Sequence, residues 1–138
     1  MNKQEVLQLI VEKLTIDLDI AQRAAQTAYE TATHEENIAE NKYDTLGLEA
    51  SYLAAGQARR VEEIRQSLTL YQKLNLMPFN EDRGIQSGDL ITLENDQGVE
   101  QHLFLGPDAA GLKIPFGELI VTVITSRAPL GQTLLGKL

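Results

Sequence analysis

Residues 33–45 read THEENIAENKYDT, and two helical patterns meet at this polar stretch. Before it, apolar or small residues recur at alternating steps of four and three from Leu7 to Ala32. After it, a similar row runs from Leu46 to Tyr71, with one irregularity near Gln57. Steps of three and four that persist over several turns are typical of the contact seam of a coiled-coil helix. The sequence therefore predicts two long helices.

The two rows are mirror images of each other. Pairs taken outward from the middle, such as Ala25 with Leu53 and Leu14 with Ile64, have residue numbers that sum to 78 or 79. A constant sum is expected of two antiparallel helices joined by a short turn. Residues 1–78 are therefore predicted to form an antiparallel coiled-coil arm with its tip near residue 39. The seam is large at the base and mostly alanine near the tip, so we expect a tapering arm of roughly 50 Å, at about 1.5 Å per residue.

Acidic residues are concentrated around the predicted tip. Residues 30–49 contain six acids and one base, a net charge of −5, whereas the rest of residues 1–78 has a net charge of +1. A solvated turn remains the alternative interpretation, because acids near a helix start also complement the helix dipole. His34 lies among these acids, but a single histidine is poor evidence for a structural zinc site.

The composition changes after the second helical row. Residues 75–88, NLMPFNEDRGIQSG, contain a proline and two glycines without helical periodicity and are predicted to form a linker. Residues 89–94, 99–105 and 119–125 have strand patterns, and Pro129 suits the first turn of a helix. We therefore expect an α+β protein in which residues 79–138 form a small β-rich domain. Its sheet is predicted to be antiparallel over residues 89–125 and flanked by the last helix.

Composition limits the classes of function. The 138 residues include no cysteine, which excludes disulfides and thiolate sites. The net charge of −8 argues against binding to duplex DNA by the chain alone, so we expect no independent sequence-specific binding to nucleic acid. There is no run of about 20 apolar residues and no secretory leader, so we expect a cytoplasmic protein without a membrane partner. No phosphate loop or interpretable catalytic triad is visible, so we expect no enzymatic activity from the chain by itself.

Two stretches carry a resemblance to a known family. ENIAENKYD (36–44) resembles the tip motif of the Gre family of bacterial transcript cleavage and elongation factors, and APLGQTLLGK (128–137) resembles the signature of that family's C-terminal domain. The resemblance implies a factor that inserts its arm into the secondary channel of bacterial RNA polymerase and modulates elongation. It also implies that the C-terminal domain is FKBP-like and docks on the polymerase rim.

The resemblance assigns roles to three residues at the tip. The family's metal-binding glutamate falls on Glu40 and its aspartate falls on Asn37, with Glu36 adjacent. Glu40 and Glu36 are thus expected to contact Mg²⁺ only within the polymerase complex, because Mg²⁺ prefers hard oxygen ligands. Asn37 is a weaker, neutral ligand. The chain would at most assist the polymerase's own cleavage reaction, sharing its Mg²⁺ and binding no cofactor alone.

The sequence departs from the family near its end. Ala128 stands where the family has a serine at the expected helix N-cap, and Ser126 or Thr125 is expected to compensate. Family members usually continue into two more strands after the position of Leu138. Either the chain is shortened, or its sheet is incomplete and must be completed by something else. An unpaired edge favours self-association.

Two other functions fit parts of the pattern. A coiled-coil adaptor or oligomerisation module with no role in transcription would explain the helical rows, but it would not need the acids gathered at the turn. A metal-dependent enzyme acting alone would use those acids directly, but one histidine and a few acids on a turn are weak evidence for such a centre.

Overall fold

The structure is a computed structural model that describes residues 2–38 and 45–137, with side chains described for residues 2–33 and 51–137. It is an α+β protein, as the sequence predicts. Two long helices are followed by four strands and a short helix: α1 (Lys3–Ile38), α2 (Thr45–Gln72), β1 (Leu90–Glu94), β2 (Glu100–Gly106), β3 (Lys113–Phe116), β4 (Leu119–Thr125) and α3 (Pro129–Leu134).

The four strands form one mixed sheet in the order β1-β2-β4-β3. β1 with β2 and β3 with β4 are antiparallel pairs, whereas β2 and β4 are parallel. The predicted all-antiparallel sheet is therefore wrong at its centre. The reason is β3, a four-residue strand containing Pro115 that has too weak a strand pattern to be predicted. It reverses the chain between β2 and β4, so β4 runs in the same direction as β2.

The turn between β1 and β2 is specified locally. The Asn95 side-chain oxygen accepts hydrogen bonds from the main-chain N–H groups of Gln97 and Val99, both at 2.9 Å. Gly98 takes the left-handed conformation, with φ of +79°, that glycine adopts without steric cost. This short stretch thus closes the hairpin and sets its register without help from the rest of the chain.

Alternate residues of the sheet supply two apolar faces. On one face Leu103 and Leu105 of β2 form a buried cluster with Ile91 and with Leu134 of α3. On the other face Phe104 of β2 is fully buried. Its ring lies 6.4 Å from that of Tyr71 in α2, measured between centroids. Because both faces are covered, β2 is buried over its last four residues, Leu103 to Gly106.

α3 approaches the end of β4 very closely. A β-carbon at Gly131 would lie 1.9 Å from the Thr125 carbonyl oxygen, so only glycine fits there without a shift. The N-cap residue Ala128 receives no side-chain capping bond, so the expectation that Ser126 or Thr125 would cap the helix is wrong. Instead, the Ala128 N–H donates to the Thr125 carbonyl at 3.1 Å, and Pro129 starts the helix.

Residue contacts divide the chain into two compact units. The first contains residues 1–13 and 67–138, and the second contains residues 14–66. The first unit thus holds the sheet, the opening turns of α1 and the last turns of α2. Val6 and Ile10, which lie outside the predicted seam, are fully buried in this unit. Phe104 is also fully buried in this unit, so its core uses apolar positions of α1 that lie outside the heptad row.

The second unit consists of the remaining turns of both helices. Its buried side chains belong to the rows found in the sequence: Leu14, Ala21, Ala28 and Ala32 in α1, and Val61 and Ile64 in α2. Leu53 was also predicted to lie in the seam, but it is 57% exposed, so the seam does not bury it. At about 100° per residue, Leu53 has the same angular position on α2 as the buried Tyr71, 18 residues later, so a rotation of the row does not account for its exposure.

Replacing Leu14 by alanine tests the buried row. We expect the free energy of unfolding to fall by about 2–5 kcal/mol, because a large buried side chain is removed and a cavity remains. Ile16→Ala is the matched control two residues along α1, where the side chain is exposed. Urea denaturation of both variants measures the difference. Equal and small losses in the two variants would show that Leu14 does not lie in a packed interface.

Candidate functional site

The sequence-predicted site lies around the end of α1. Glu36 and Asn37 are in the last turn of α1, which the structure follows to Ile38. Glu40 lies outside the described residues, as do the side chains of Glu36 and Asn37. Their proposed roles with Mg²⁺ therefore stay predictions.

Among the side chains of residues 2–33 and 51–137, no group of three or more histidine, aspartate or glutamate residues is arranged to hold a metal ion. Within the described residues 2–38 and 45–137, no helix is long and apolar enough to cross a membrane.

A different polar constellation is fully described in the sheet-containing unit. It consists of Ser67, Tyr71, Asp108 and Arg127, and we call it the Asp108 anchor. The Ser67 hydroxyl donates to one carboxylate oxygen of Asp108 at 2.7 Å, and the Arg127 guanidinium donates to the other at 2.7 Å. The Tyr71 hydroxyl donates to the Asp108 main-chain carbonyl at 2.6 Å. One loop residue thus connects the last turns of α2 to the segment that follows β4.

The protonation behaviour of the anchor follows from these contacts. Burial raises the pKa of the Asp108 carboxyl, but hydrogen bonds from Ser67, Arg127 and the Ala109 main chain, together with the Arg127 charge, outweigh it and hold that pKa below its usual value. Burial is the main cause that raises the pKa of the Tyr71 phenol far above its ordinary value, and the Asp108 charge adds to it. At neutral pH the carboxylate is therefore an acceptor and the phenol a donor.

The backbone around Asp108 is shaped to fit Tyr71. A β-carbon at Gly106, the last residue of β2, would lie 2.0 Å from the Tyr71 hydroxyl oxygen, so a side chain is excluded there. Ala109 has φ of +64°, a left-handed conformation that costs an L-residue roughly 1–2 kcal/mol. Because Asp108 is held by both its side chain and its carbonyl, the loop is fixed in this strained conformation.

A second polar contact fastens the start of α1 within the same unit. The Lys3 ammonium donates to the Asp89 carboxylate at 2.9 Å and also to the Met77 main-chain oxygen. The other Asp89 oxygen accepts the Gln86 N–H at 2.8 Å. Lys3 thus links the first turn of α1 to both ends of the linker before β1.

The sequence did not predict the Asp108 anchor. Ser67 and Tyr71 are 41 and 37 residues from Asp108 along the chain, so no local pattern joins them. The local signal is the sequence GPD at residues 106–108, which is typical of a turn but does not indicate any distant partner. The Ser67 hydroxyl donates to a carboxylate, but Arg127 donates to the same carboxylate and lowers its pKa, which makes that carboxylate a weak base. The contacts of the anchor thus hold α2, the loop after β2 and the segment after β4 together.

Comparisons with known proteins identify no family. No family model matches the chain, and no curated protein matches it significantly.

The Asp108→Asn variant tests the anchor through pH. A group whose pKa is lower in the folded state stabilises the fold above its unfolded pKa, near 3.8, and loses that contribution as the pH falls through the folded value. We therefore expect the variant to be less stable than the wild type at pH 7. The difference should shrink as the pH falls below 3.8. Thermal unfolding at several pH values measures it, and a pH-independent difference would contradict the role of the carboxylate charge.

Proposed function

We propose that this protein is a Gre-like transcription elongation factor that binds bacterial RNA polymerase through its secondary channel. The observation that carries the proposal is the placement of charge. Helices of 36 and 28 residues flank residues 39–44, and the net charge of −5 is gathered in residues 30–49 around that point. A long helical element with acids at its end suits insertion into a pore that leads to a metal-dependent active site.

The proposed arm is an antiparallel hairpin of α1 and α2. The proposal is supported by surface grooves within residues 14–66 that side chains of both helices line together. One groove of about 410 Å³ is lined by Ala24, Thr27 and Ala28 of α1 together with Leu53 and Gln57 of α2. Both helices also line a second groove of about 540 Å³. Alanine along the seam keeps the proposed arm thin, which a narrow channel requires.

The proposed C-terminal domain is FKBP-like and docks on the rim of the polymerase. The proposal is supported by the contacts that residues of APLGQTLLGK (128–137) make in the structure. Gly131 allows α3 to approach the Thr125 carbonyl, and Leu134 enters the buried cluster on the sheet. The residues that resemble the family signature are therefore those that attach α3 to the sheet.

The proposed tip chemistry assigns carboxylate oxygens of Glu40 and Glu36 to Mg²⁺ inside the polymerase. When bound there, the ion would help the polymerase hydrolyse its transcript. A few carboxylates on a turn do not provide the near-octahedral shell that Mg²⁺ demands, so the free chain should bind it weakly. Asn37 supplies a neutral oxygen where the family has a carboxylate, which weakens the ligand set.

One observation favours the alternative of a coiled-coil adaptor. Large apolar side chains are exposed along both helices: Ile16, Ile20 and Tyr29 in α1, and Tyr52 in α2. A helical partner could cover them by packing along the arm. The adaptor hypothesis does not use the acids near the turn, so charge changes there separate the two functions.

Binding to purified bacterial RNA polymerase, followed by transcript cleavage in backtracked elongation complexes, tests the proposal. We expect the wild-type protein to be retained by the polymerase. If cleavage is accelerated, Glu40→Ala should abolish the effect and Asn37→Asp should enhance it, because the latter restores a charged Mg²⁺ ligand. The matched control is Glu63→Ala, which removes an exposed acid from α2 away from the turn and should change nothing.

The remaining outcomes are also informative. If the protein binds without accelerating cleavage, Asn37 accounts for the missing activity, the arm acts by occupying the channel, and Asn37→Asp should create cleavage. A wild-type protein that neither binds polymerase nor alters its cleavage or elongation contradicts the proposal and leaves the adaptor hypothesis.

A further inference from the structure

The two outer strands of the sheet differ in how they present their edges. The Val123 N–H donates to the Leu112 carbonyl at 2.8 Å, which sets the alternation of hydrogen bonds between β3 and β4. Because every second pair is hydrogen-bonded, the main-chain nitrogen of Pro115 points outward, away from β4, and proline has no N–H to donate there. Lys113 lies on the same strand. Proline and lysine are the residues that commonly protect a sheet edge from pairing with another strand, so β3 is a blocked edge.

β1 has no such protection. The Leu105 N–H donates to the Asp89 carbonyl at 3.0 Å, and the Asn95 N–H donates to the Val99 carbonyl at 3.0 Å. Between these two bonds the direction of the main-chain N–H and C=O groups alternates along β1. Those of Ile91 and Leu93 point toward β2, whereas those of Leu90, Thr92 and Glu94 point outward, away from the sheet. In the described part of the chain, no strand pairs with the outer side of β1. Three residues thus present complete pairs of donors and acceptors.

An open groove runs beside this edge. It has a volume of about 420 Å³ and is lined by Leu90, Ile91 and Thr92 of β1, by Phe79 and Ile85 of the preceding linker, and by Lys3 with Asp89. The backbone of β1 can form a regular ladder of hydrogen bonds only with another extended strand, and the groove lining combines apolar side chains with the charged Lys3 and Asp89. The groove therefore specifies the chemistry of what it accepts.

We propose that β1 pairs with β1 of a second copy of this chain, antiparallel, with Thr92 on the two-fold axis. This is the two-fold register that pairs all five residues of the strand. It places Thr92 opposite Thr92 of the second copy, Leu90 opposite Glu94, and Ile91 opposite Leu93. The two four-stranded sheets then form one eight-stranded sheet across the axis. The inference does not rest on the proposed role in transcription.

Side chains support this register on both faces. Ile91 belongs to the buried cluster and Leu93 packs against it, so the cross-axis pair of Ile91 with Leu93 extends that apolar face across the interface. On the other face, Glu94 of the second copy comes opposite Leu90, at the end of the groove that Lys3 and Asp89 also line. There the Lys3 ammonium, which already binds one oxygen of Asp89, is the cation nearest to Glu94. Each contact occurs twice because the interface is isologous. Parallel pairing would instead place Glu94 beside Glu94.

Long-range charge opposes the association. Each copy has a net charge of −8, so two copies repel each other at low ionic strength. Salt of about 0.3 M shortens the screening length to less than 8 Å and removes most of that repulsion. Association should therefore be measured at that salt concentration.

Single-cysteine variants test the register, because the wild-type chain contains no cysteine. Directly opposite residues in an antiparallel hydrogen-bonded pair have α-carbons about 5.5 Å apart, within reach of a disulfide. Thr92→Cys should form a covalent dimer on mild oxidation at 0.3 M salt. Glu94→Cys alone should not, because its own copies lie four residues apart across the axis. A mixture of Leu90→Cys and Glu94→Cys should cross-link.

Sedimentation of the full chain supplies an independent test. Thr92→Lys places two like charges opposite each other on the axis and should convert the dimer to monomer, whereas Thr92→Val should leave it dimeric. Both variants lose the 3.2 Å contact between the Thr92 hydroxyl and the His102 ring, so that loss cannot explain a difference. Glu94→Lys should also weaken the dimer by facing Lys3. Its control is Glu100→Lys, which makes the same charge change on β2, directly opposite Glu94 and away from the open edge.

Circular dichroism confirms that each variant is folded, so a loss of dimer is not mistaken for unfolding. A wild-type protein that stays strictly monomeric at 0.3 M salt and about 0.5 mM protein overturns the proposal. Cross-linking of Glu94→Cys with itself, or an equal yield from all single-cysteine variants, overturns the register. A dimer that withstands Thr92→Lys and Glu94→Lys lies on another surface and also overturns the proposal.

Discussion

The hydrogen-bonded contact between Tyr71 and Asp108 is the constraint on which the sheet-containing unit depends. It joins the end of α2 to the loop after β2 through a 2.6 Å bond to a main-chain oxygen. The contact requires the absence of a side chain at Gly106, and it is accompanied by a left-handed Ala109. The Asp108 carboxylate then reaches both Ser67 and Arg127. Asp108 thereby joins α2, the end of β2 and the segment before α3 through hydrogen bonds.

The packing of the sheet follows from the same constraint. The Tyr71 ring lies over Phe104, so the hydroxyl can bond to Asp108 while the apolar ring covers one face of β2. An amphipathic aromatic side chain suits this position because its ring is buried and its polar end finds a partner. The opposite face is closed by α3, whose approach depends on Gly131. Two glycines at points of close approach therefore permit the two faces to be covered at once.

The edge of the sheet and the acidic stretch of residues 30–49 are assigned to different proposed partners. The proposed polymerase contact uses acids in residues 30–49, and the proposed dimer uses the backbone of β1. The first depends on charge and metal chemistry, whereas the second depends on unpaired main-chain groups and apolar side chains. Changes at Glu40 and at Thr92 therefore act on separate interactions, and each can be measured without disturbing the other.

The sequence by itself determined the helices, three of the four strands and the start of α3, because local periodicity and turn residues encode them. The heptad rows correctly placed Leu14, Ala21, Val61 and Ile64 among the buried side chains. The row did not predict the exposure of Leu53, which has the same angular position on α2 as the buried Tyr71. The functional hypothesis for the tip came from the sequence alone, through the charge pattern and the family resemblance.

Tertiary structure decided the features that join residues far apart in the chain. The parallel pairing of β2 with β4 depends on β3, a strand too short and too weakly patterned to be read locally. The Asp108 anchor joins residues about 40 positions apart, and no sequence period reports such a contact. The open edge of β1 emerges only when strand order and hydrogen-bond alternation are both known. A sequence pattern reports which face of an element is buried, but the partner at that face is set by the three-dimensional course of the chain.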